Sequence, residues 1–397
     1  MKHTSEYFAG KFGIERETLR VDREGRLAQS PHPFGDDPQI TRDFCENQIE
    51  LVTPVCQSIG EAVAALAELD STARERIGEQ GESLWLYSNP PHITSEAEIP
   101  VANFVGEHAG KRRYREQLER RYGKRLMLFS GIHFNLSLSE ADLHARFQAA
   151  GSGDYEQFRT AFYLRLYQQA ARYSWLPLLL TAASPIYDRS LDGDGLSGAV
   201  QSEYSSLRSS VRGYWNEFVP ALRFDSLEAF TERIQRYVDK GLLFSASELY
   251  LPVRLKPRGV NKLEHFRDGI SHIELRMFDL NPTEPLGICQ SDLEFAHLLL
   301  LYLSEQPAFE FTPELQAQAV ENHRNAAKYD LSGTEIDGVP ILERAEQVID
   351  AMTAHFADDP HAAPILDYER AKLQNRICTR IRAVDIYNTD ETGDLNV

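Results

Sequence analysis

Long apolar runs are missing from this 397-residue chain. The stretches at 176–183 and 298–303 are too short to span a bilayer, so a membrane-spanning protein is not expected. Cysteine is scarce. Cys45, Cys56, Cys289 and Cys378 are widely spaced and form no Cys-x-x-Cys, which argues against a zinc ribbon or a disulfide framework. Positive charge is in deficit: 42 Lys+Arg against 60 Asp+Glu leave a net charge of −18. Such a surface disfavours nucleic acid and anionic membranes, though it leaves room for a nucleotide held by a local cluster of arginine and Mg²⁺. No apolar run follows Met1-Lys2-His3-Thr4-Ser5-Glu6, so no signal peptide is expected and a cytoplasmic location is. Internal repeats, low-complexity segments and a clear domain boundary are also lacking. The chain reads as one catalytic domain, residues 1–397, with a helical C-terminal part at about 286–380 and a disordered tail at 388–397.

What is present is a set of two-faced strands. Gly13-Ile14-Glu15-Arg16-Glu17-Thr18-Leu19-Arg20-Val21 ends in strand formers and meets the turn Asp22-Arg23-Glu24-Gly25. Glu15 and Glu17 leave one face together, and two adjacent carboxylates call for a positive charge between them. The next strand, up to Pro54, puts Gln48 and Glu50 opposite Ile49 and Leu51, with Asp43 just before it. A strand over 126–138 sets His133, Asn135 and Ser137 against Ile132, Phe134, Leu136 and Leu138. Two later strands are expected at 248–256 and 272–278. The first sets Glu248, Tyr250, Arg254 and Lys256 against Leu249, Leu251, Val253 and Leu255. The second sets His272, Glu274 and Arg276 against Ile273, Leu275 and Met277. Helices are expected at 58–79, 111–122, 155–180, 227–239, 286–304, 313–327, 341–356 and 363–376. Residues 106–111 nearly spell a phosphate-binding loop but are one residue short and lack the closing Ser/Thr. The Asp-Gly-Asp-Gly of 188–198 lacks the closing Glu of a calcium loop and reads as a mobile covering.

Five such strands predict an α+β fold: a mostly antiparallel sheet with helices on one face. Its polar face carries carboxylates, histidines and arginines where a merely wet face would carry lysine and threonine. That mixture suits Mg²⁺ and a polyanionic phosphate together.

Read in order, these segments resemble the motifs of bacterial glutamate–cysteine ligases, of the proteobacterial type. The match begins with Phe12-Gly13-Ile14-Glu15-Arg16-Glu17-Thr18-Leu19-Arg20-Val21. Asp43-Phe44 with Glu50-Leu51-Val52-Thr53-Pro54 follows, then Tyr114-Arg115-Glu116 with Arg121-Tyr122-Gly123, then Ser130-Gly131-Ile132-His133-Phe134-Asn135. Ser206-Leu207-Arg208 with Gly213-Tyr214, Glu248-Leu249-Tyr250, and Ile273-Glu274-Leu275-Arg276 with Asp279-Leu280-Asn281-Pro282 complete it. The match runs from about residue 10 to about 290; the last helices do not obviously match, and members of that type usually continue further.

The resemblance implies a glutamine synthetase/guanido kinase-like catalytic domain that uses ATP and Mg²⁺ or Mn²⁺. It implies Glu15, Glu17, Asp43, Glu50, His133 and Glu274 as ligands for three metal ions. Tyr114, Arg208, Tyr214 and Tyr250 match cysteine-binding positions. Asn135 and Arg276 match positions near the glutamate and the transferring phosphate, where Arg276 and His133 would serve the chemistry. Expected partners are glutamate, cysteine and ATP, with the chain a monomer. Two other activities stay open: a γ-glutamyl ligase for a different amine, and a phosphotransferase of the guanido-kinase kind. A non-enzymatic metal-binding protein would leave His133, Arg208 and Arg276 without a task.

Overall fold

Strand β1 (Gly10–Val21) runs through the middle of the sheet and shows the alternation that the sequence predicts. Phe12, Ile14 and Arg16 are buried on one side; Lys11, Gly13 and Glu15 reach the other. The computed structural model describes residues 9–104, 109–151 and 153–383. Residues 1–8, the tail at 388–397 and part of the near-miss phosphate loop lie outside them.

The main sheet orders its strands β2 (Ile40–Thr41), β3 (Gln48–Val52), β1, β5 (Ile132–Leu138), β9 (Ile270–Phe278) and β8 (Val253–Pro257). β4 (Ser83–Trp85) pairs with the far end of β1. Every pairing in this sheet is antiparallel. β6 (Ile186–Asp188) with β7 (Ala199–Gln201), and β10 (Glu335–Ile336) with β11 (Val339–Pro340), form two small ribbons.

Helices cover the apolar face. α1 (Ile59–Gly78) packs on β1, with Ser58 capping its first turn through Glu61 N. Beneath it, the buried Arg16 donates to Asp70 at 2.6 Å, so a charged β1 residue is neutralised within the core. α2 (Ala109–Tyr122) is basic, and α3 (Glu140–Ala150) is a helix the hydrophobic pattern does not announce. The aromatic stretch expected as one helix is two, α4 (Tyr155–Tyr173) and α5 (Trp175–Thr181), parted at Ser174. Pro177 falls in the first turn of α5, where its missing N–H costs nothing. α4 and α5 pack on β9, and α4 also on β8.

After α6 (Leu227–Asp239), the C-terminal helices are α7 (Gln290–Ser304), α8 (Pro313–Ala326), α9 (Ile341–His355) and α10 (Ala362–Gln374). α7 is buried nearly all round; its His297 ring meets Phe12 edge-on at 5.2 Å, tying this region to β1. α8 packs against α5 and α4.

Two expectations need correction. The strand expected at 248–256 starts only at Val253. Ala246–Glu248 is a 3₁₀ turn, and Pro252 has no N–H to give a ladder. Residues 126–128 likewise form a 3₁₀ turn before β5 begins at Ile132. In β9, Met277 is buried in the core as expected, beside an irregularity in the strand. The register slips so that Arg276 and Met277 together face His133, the single residue between Ile132 and Phe134. Two residues opposite one make this a bulge. The 188–198 loop, for its part, is pinned: Asp188 accepts from Ser190 N and Gly198 N.

Candidate active site

On the polar face of the sheet, register sets polar and charged side chains side by side, in one pair two carboxylates. Glu17 lies directly across from Glu50, Glu15 from His133, and Asn135 from Glu274. Directly opposed residues hold their Cβ atoms about 4.5–5.5 Å apart, so paired carboxylates here destabilise the sheet until a cation joins them. Glu15, His133 and Glu274 can each aim one donor atom into a space where all three atoms lie within 4.8 Å of one another.

His133 Nδ1 is 3.2 Å from Glu15 Oε2 and 3.3 Å from Arg276 Nη1. One nitrogen cannot donate to the carboxylate and accept from the guanidinium at once. Its Nε2 is buried with no hydrogen-bond partner among the described residues, 3.7 Å from Glu17 Oε1. Burial, and then Arg276, lower the His133 pKa to about 4, so the ring is neutral and free to act as a ligand. Buried carboxylate oxygens with one neutral imidazole suit a hard divalent cation.

The carboxylates divide into two electrostatic groups. Burial raises the Glu274 carboxyl, but Arg276 (Nη1 at 3.2 Å) and Lys256 (Nζ at 2.8 Å) outweigh it, and its pKa falls well below the usual range. Glu15 is lowered too: its burial is offset by the His133 hydrogen bond and by Lys256. Burial and the charge of Asp43 raise Glu17 to about 8. Glu50 is pushed well above its ordinary value by burial, then Asp43, Glu15 and Glu17. Asp43 is half exposed at the rim, with Arg115 Nη2 at 3.5 Å.

Asn135 buttresses the first group. Its Nδ2 donates to Glu15 Oε1 at 3.1 Å, and its Oδ1 lies 3.1 Å from His272 Nε2. Arg208 is fixed differently: one Nη donates to the Arg276 carbonyl at 3.1 Å and the Phe278 carbonyl at 3.2 Å. Gly131 makes room for it, since a Cβ there would sit 2.5 Å from the Arg208 Cζ.

A cavity of about 50 Å³ opens at this junction, lined by Arg208, Tyr214, Tyr250, Arg276 and Met277. Tyr214 and Tyr250 meet edge to face at 4.9 Å. Tyr114 stands behind them, its hydroxyl hydrogen-bonded to Tyr250, outside the cavity lining. The sheet and its loops thus bring Glu15, His133 and Glu274 into one cluster and Arg208, Tyr214, Tyr250 and Arg276 to one cavity, while Glu17, Asp43 and Glu50 are not in that cluster and Tyr114 does not line the cavity. Glu248 is a further exception among the acidic strand residues: it is fully buried away from the others, held by Arg121 at 2.6 Å and Tyr122 at 2.7 Å. Two further cavity residues, Trp215 and His323, carry no mark in the local pattern. Lys256 was visible on its strand face, but its contact with Glu274 was not. A larger surface groove of about 840 Å³, beside α4 and α6, is lined by none of the predicted residues.

Among the described residues, no helix is long and apolar enough to cross a membrane. The glutamate–cysteine ligase family model matches residues 1–242 and 201–326. The glutathione biosynthesis bifunctional protein of Listeria monocytogenes is 36% identical over 400 residues, covering 92% of this chain and 50% of the relative. That of Streptococcus thermophilus is 39% identical over 307 residues, covering 76% and 39%. The chain spans about half the length, or less, of these curated relatives. A bifunctional glutathione synthetase from Pasteurella multocida superposes with a TM-score of 0.84 at 27% identity, over 98% of this chain and 51% of that one. A glutamate–cysteine ligase from Francisella tularensis in complex with AMP gives 0.82 at 24% identity, over 93% and 82%, a likeness of fold. With a family model that covers most of its length, the chain belongs to the glutamate–cysteine ligase family.

Proposed function

We propose that the protein joins the γ-carboxylate of glutamate to the amine of cysteine at the expense of ATP, through a γ-glutamyl phosphate. The observation that carries this reading is the meeting of two unlike half-sites. The acidic cluster of Glu15, His133 and Glu274 adjoins, through Arg276, a small cavity walled by Tyr214, Tyr250 and Arg208.

A carboxylate does not condense with an amine in water, because its oxygen is a poor leaving group. Phosphorylation by ATP makes that oxygen leave as phosphate. Glu15, Glu17, Asp43, Glu50, His133 and Glu274 would hold the divalent cations, Mg²⁺ or Mn²⁺. When bound, these neutralise the β,γ-oxygens of ATP. The Arg276 guanidinium lies between the Glu274 carboxylate and the cavity, placed to stabilise charge that builds on the transferring phosphoryl and then on the tetrahedral carbon. Asn135 and His272 hold Glu15 in place. Arg208 would take the carboxylate of the acceptor amino acid, whose side chain lies against Tyr214 and Tyr250, with Tyr114 bracing the latter. No side chain need become covalently bonded. Cys45, two residues after Asp43, is fully buried and its pKa is raised to about 12, first by burial, which leaves it no nucleophilic role.

Free thiols at all four cysteines fit a reducing cytoplasm, where the chain would work as a monomer. The test is purified protein with ATP, Mg²⁺, glutamate and a panel of amines, reading ADP, phosphate and product mass. Stoichiometric γ-glutamylcysteine and phosphate are expected. A product from another amine alone would make this a different γ-glutamyl ligase. Phosphorylated substrate without a peptide bond would make it a phosphotransferase.

A further inference from the structure

The small cavity has a second wall with no task in the scheme above. Trp215 and His323 stand edge to face there, ring centroids 5.8 Å apart and planes at 75°. Trp215 comes from the loop that follows Arg208, and His323 from α8. Both rings are fixed. Trp215 Nε1 donates to the Ser210 carbonyl at 2.7 Å, and the Arg324 guanidinium lies 4.3 Å from the indole centre. His323 is buried, its Nδ1 3.1 Å from Ser174 Oγ. Met277, otherwise buried in the core, also lines the cavity. The volume, about 50 Å³, exceeds the roughly 10–15 Å³ that one water needs and is well below the ~150 Å³ of an apolar cavity that takes up benzene.

Tyr214 and Tyr250 line the same cavity. If those tyrosines face the acceptor, the group enclosed by Trp215 and His323 is the acceptor's side chain. Walls held on both sides do not yield to a larger group, and in such pockets one methylene shifts kcat/KM on the order of 10- to 200-fold.

We propose that Trp215 and His323 set the upper size limit on the side chain of the amine acceptor. They admit short unbranched chains ending in a thiol or methyl and reject branched and aromatic ones. This inference rests on the ligase reading and narrows its acceptor class. His323 itself is uncharged: burial, followed by Arg208 and Arg324, lowers its pKa to about 3.

The experiment compares kcat/KM for 2-aminobutyrate, a methyl-ended stand-in for cysteine, with kcat/KM for leucine. The ratio does not depend on how much of a preparation is active. The native chain is expected to favour 2-aminobutyrate by about 100-fold. His323→Ala is expected to narrow that preference at least about tenfold, and Trp215→Phe to narrow it as well. His323→Gln, which keeps the bulk and a donor for Ser174, is expected to keep it. Should His323→Ala fail to fold, Trp215→Phe decides. Lower rates at an unchanged ratio would mean that these residues serve only folding; the size limit is then overturned and the ligase reading stands. If the native protein couples no amine at all, the ligase reading fails first and takes the size limit with it.

Discussion

At the scale of single residues, the site is defined by carboxylates whose proton affinities are driven apart. Glu274 and Glu15 are held ionised by Arg276, Lys256 and His133, whereas Glu17 and Glu50 are pushed toward the protonated form. Glu17 titrates in the fold near 8, against an ordinary value of 4.5. Its folded pKa is raised, so the native state binds the extra proton. The stability this gives is complete below about 4.5 and is lost as pH climbs through 8. A cation that takes the proton's place releases it, and binding therefore strengthens over that window. The gain in Tm on adding Mn²⁺ to chelator-treated protein is expected to be small at pH 5 and large at pH 8, with Glu17→Gln flattening the trend. Equal gains at both pH values would remove Glu17 from the cation site. Arg208 carries a separate prediction. One of its nitrogens is spent on two backbone carbonyls of β9, and the side chain also lines the cavity. Lysine cannot do both. Arg208→Lys is expected to raise the KM for cysteine at least about tenfold, the effect of one lost charge-assisted bond of ~1.5–3 kcal/mol, with little change for ATP. Equal losses for both would move Arg208 to the phosphates.

At the scale of elements, the loop that carries Arg208 and Tyr214 depends on a glycine. A Cβ on Gly213 would lie 1.8 Å from the Arg208 carbonyl oxygen, an approach that no side chain permits. Gly213→Ala must open the loop, pulling Tyr214 from Tyr250. The expected result is a higher KM for the acceptor and a loss of roughly 1–3 kcal/mol in denaturant-measured stability, as for other overpacked positions. An unchanged midpoint with unchanged kinetics would show that the loop does not hold the pocket. This glycine belongs to the motif Gly213-Tyr214, and the carbonyl beside it explains why a side chain is barred there. Much of the sheet was legible for a related reason. Ile14, Ile49, Phe134 and Ile273 recur with period two beside Glu15, Glu50, His133 and Glu274, and a half-buried strand has no other way to satisfy both sets. Legibility ended where local pattern and geometry part. Glu248 and Tyr250 alternate like strand residues, yet Pro252 delays the ladder and Glu248 turns inward to Arg121. The β9 bulge has no signature in Arg276-Met277-Phe278, although Met277 lies in the core as its position in the alternation predicts. His323 and Trp215 lie far apart in the chain, and only the packing of α8 on α5 and α4 brings one near the other.

At the scale of the molecule, a chain of net charge −18 gathers Arg208, Arg276, Arg254 and Lys256 about the end of one acidic cluster. The same cations could serve a ligase or a kinase, and the shape of the transition state separates them. In the ligase, the amine attacks an acyl phosphate and the γ-carbon becomes tetrahedral, its oxygen negative beside Arg276. A glutamate analogue with a tetrahedral sulfoximine sulfur at that position copies the carbon. Its nitrogen can accept the γ-phosphoryl group of ATP, ADP leaves, and a charged copy of the intermediate remains in the site. Transition-state analogues bind on the order of 10²- to 10⁸-fold more tightly than substrates. Slow inhibition that needs ATP and survives dilution is therefore expected. It should be tighter when the sulfur bears a short unbranched alkyl group that fits the cavity of about 50 Å³ beside Tyr214 and Tyr250. A kinase forms no tetrahedral carbon and should ignore the compound. The measurement is residual activity after pre-incubation with the sulfoximine, with and without ATP, followed by dilution. Immediate recovery in both samples would contradict an acyl-phosphate route. Inhibition locked in only by ATP, in a protein that does not accept cysteine, would keep that route and transfer the reaction to another amine.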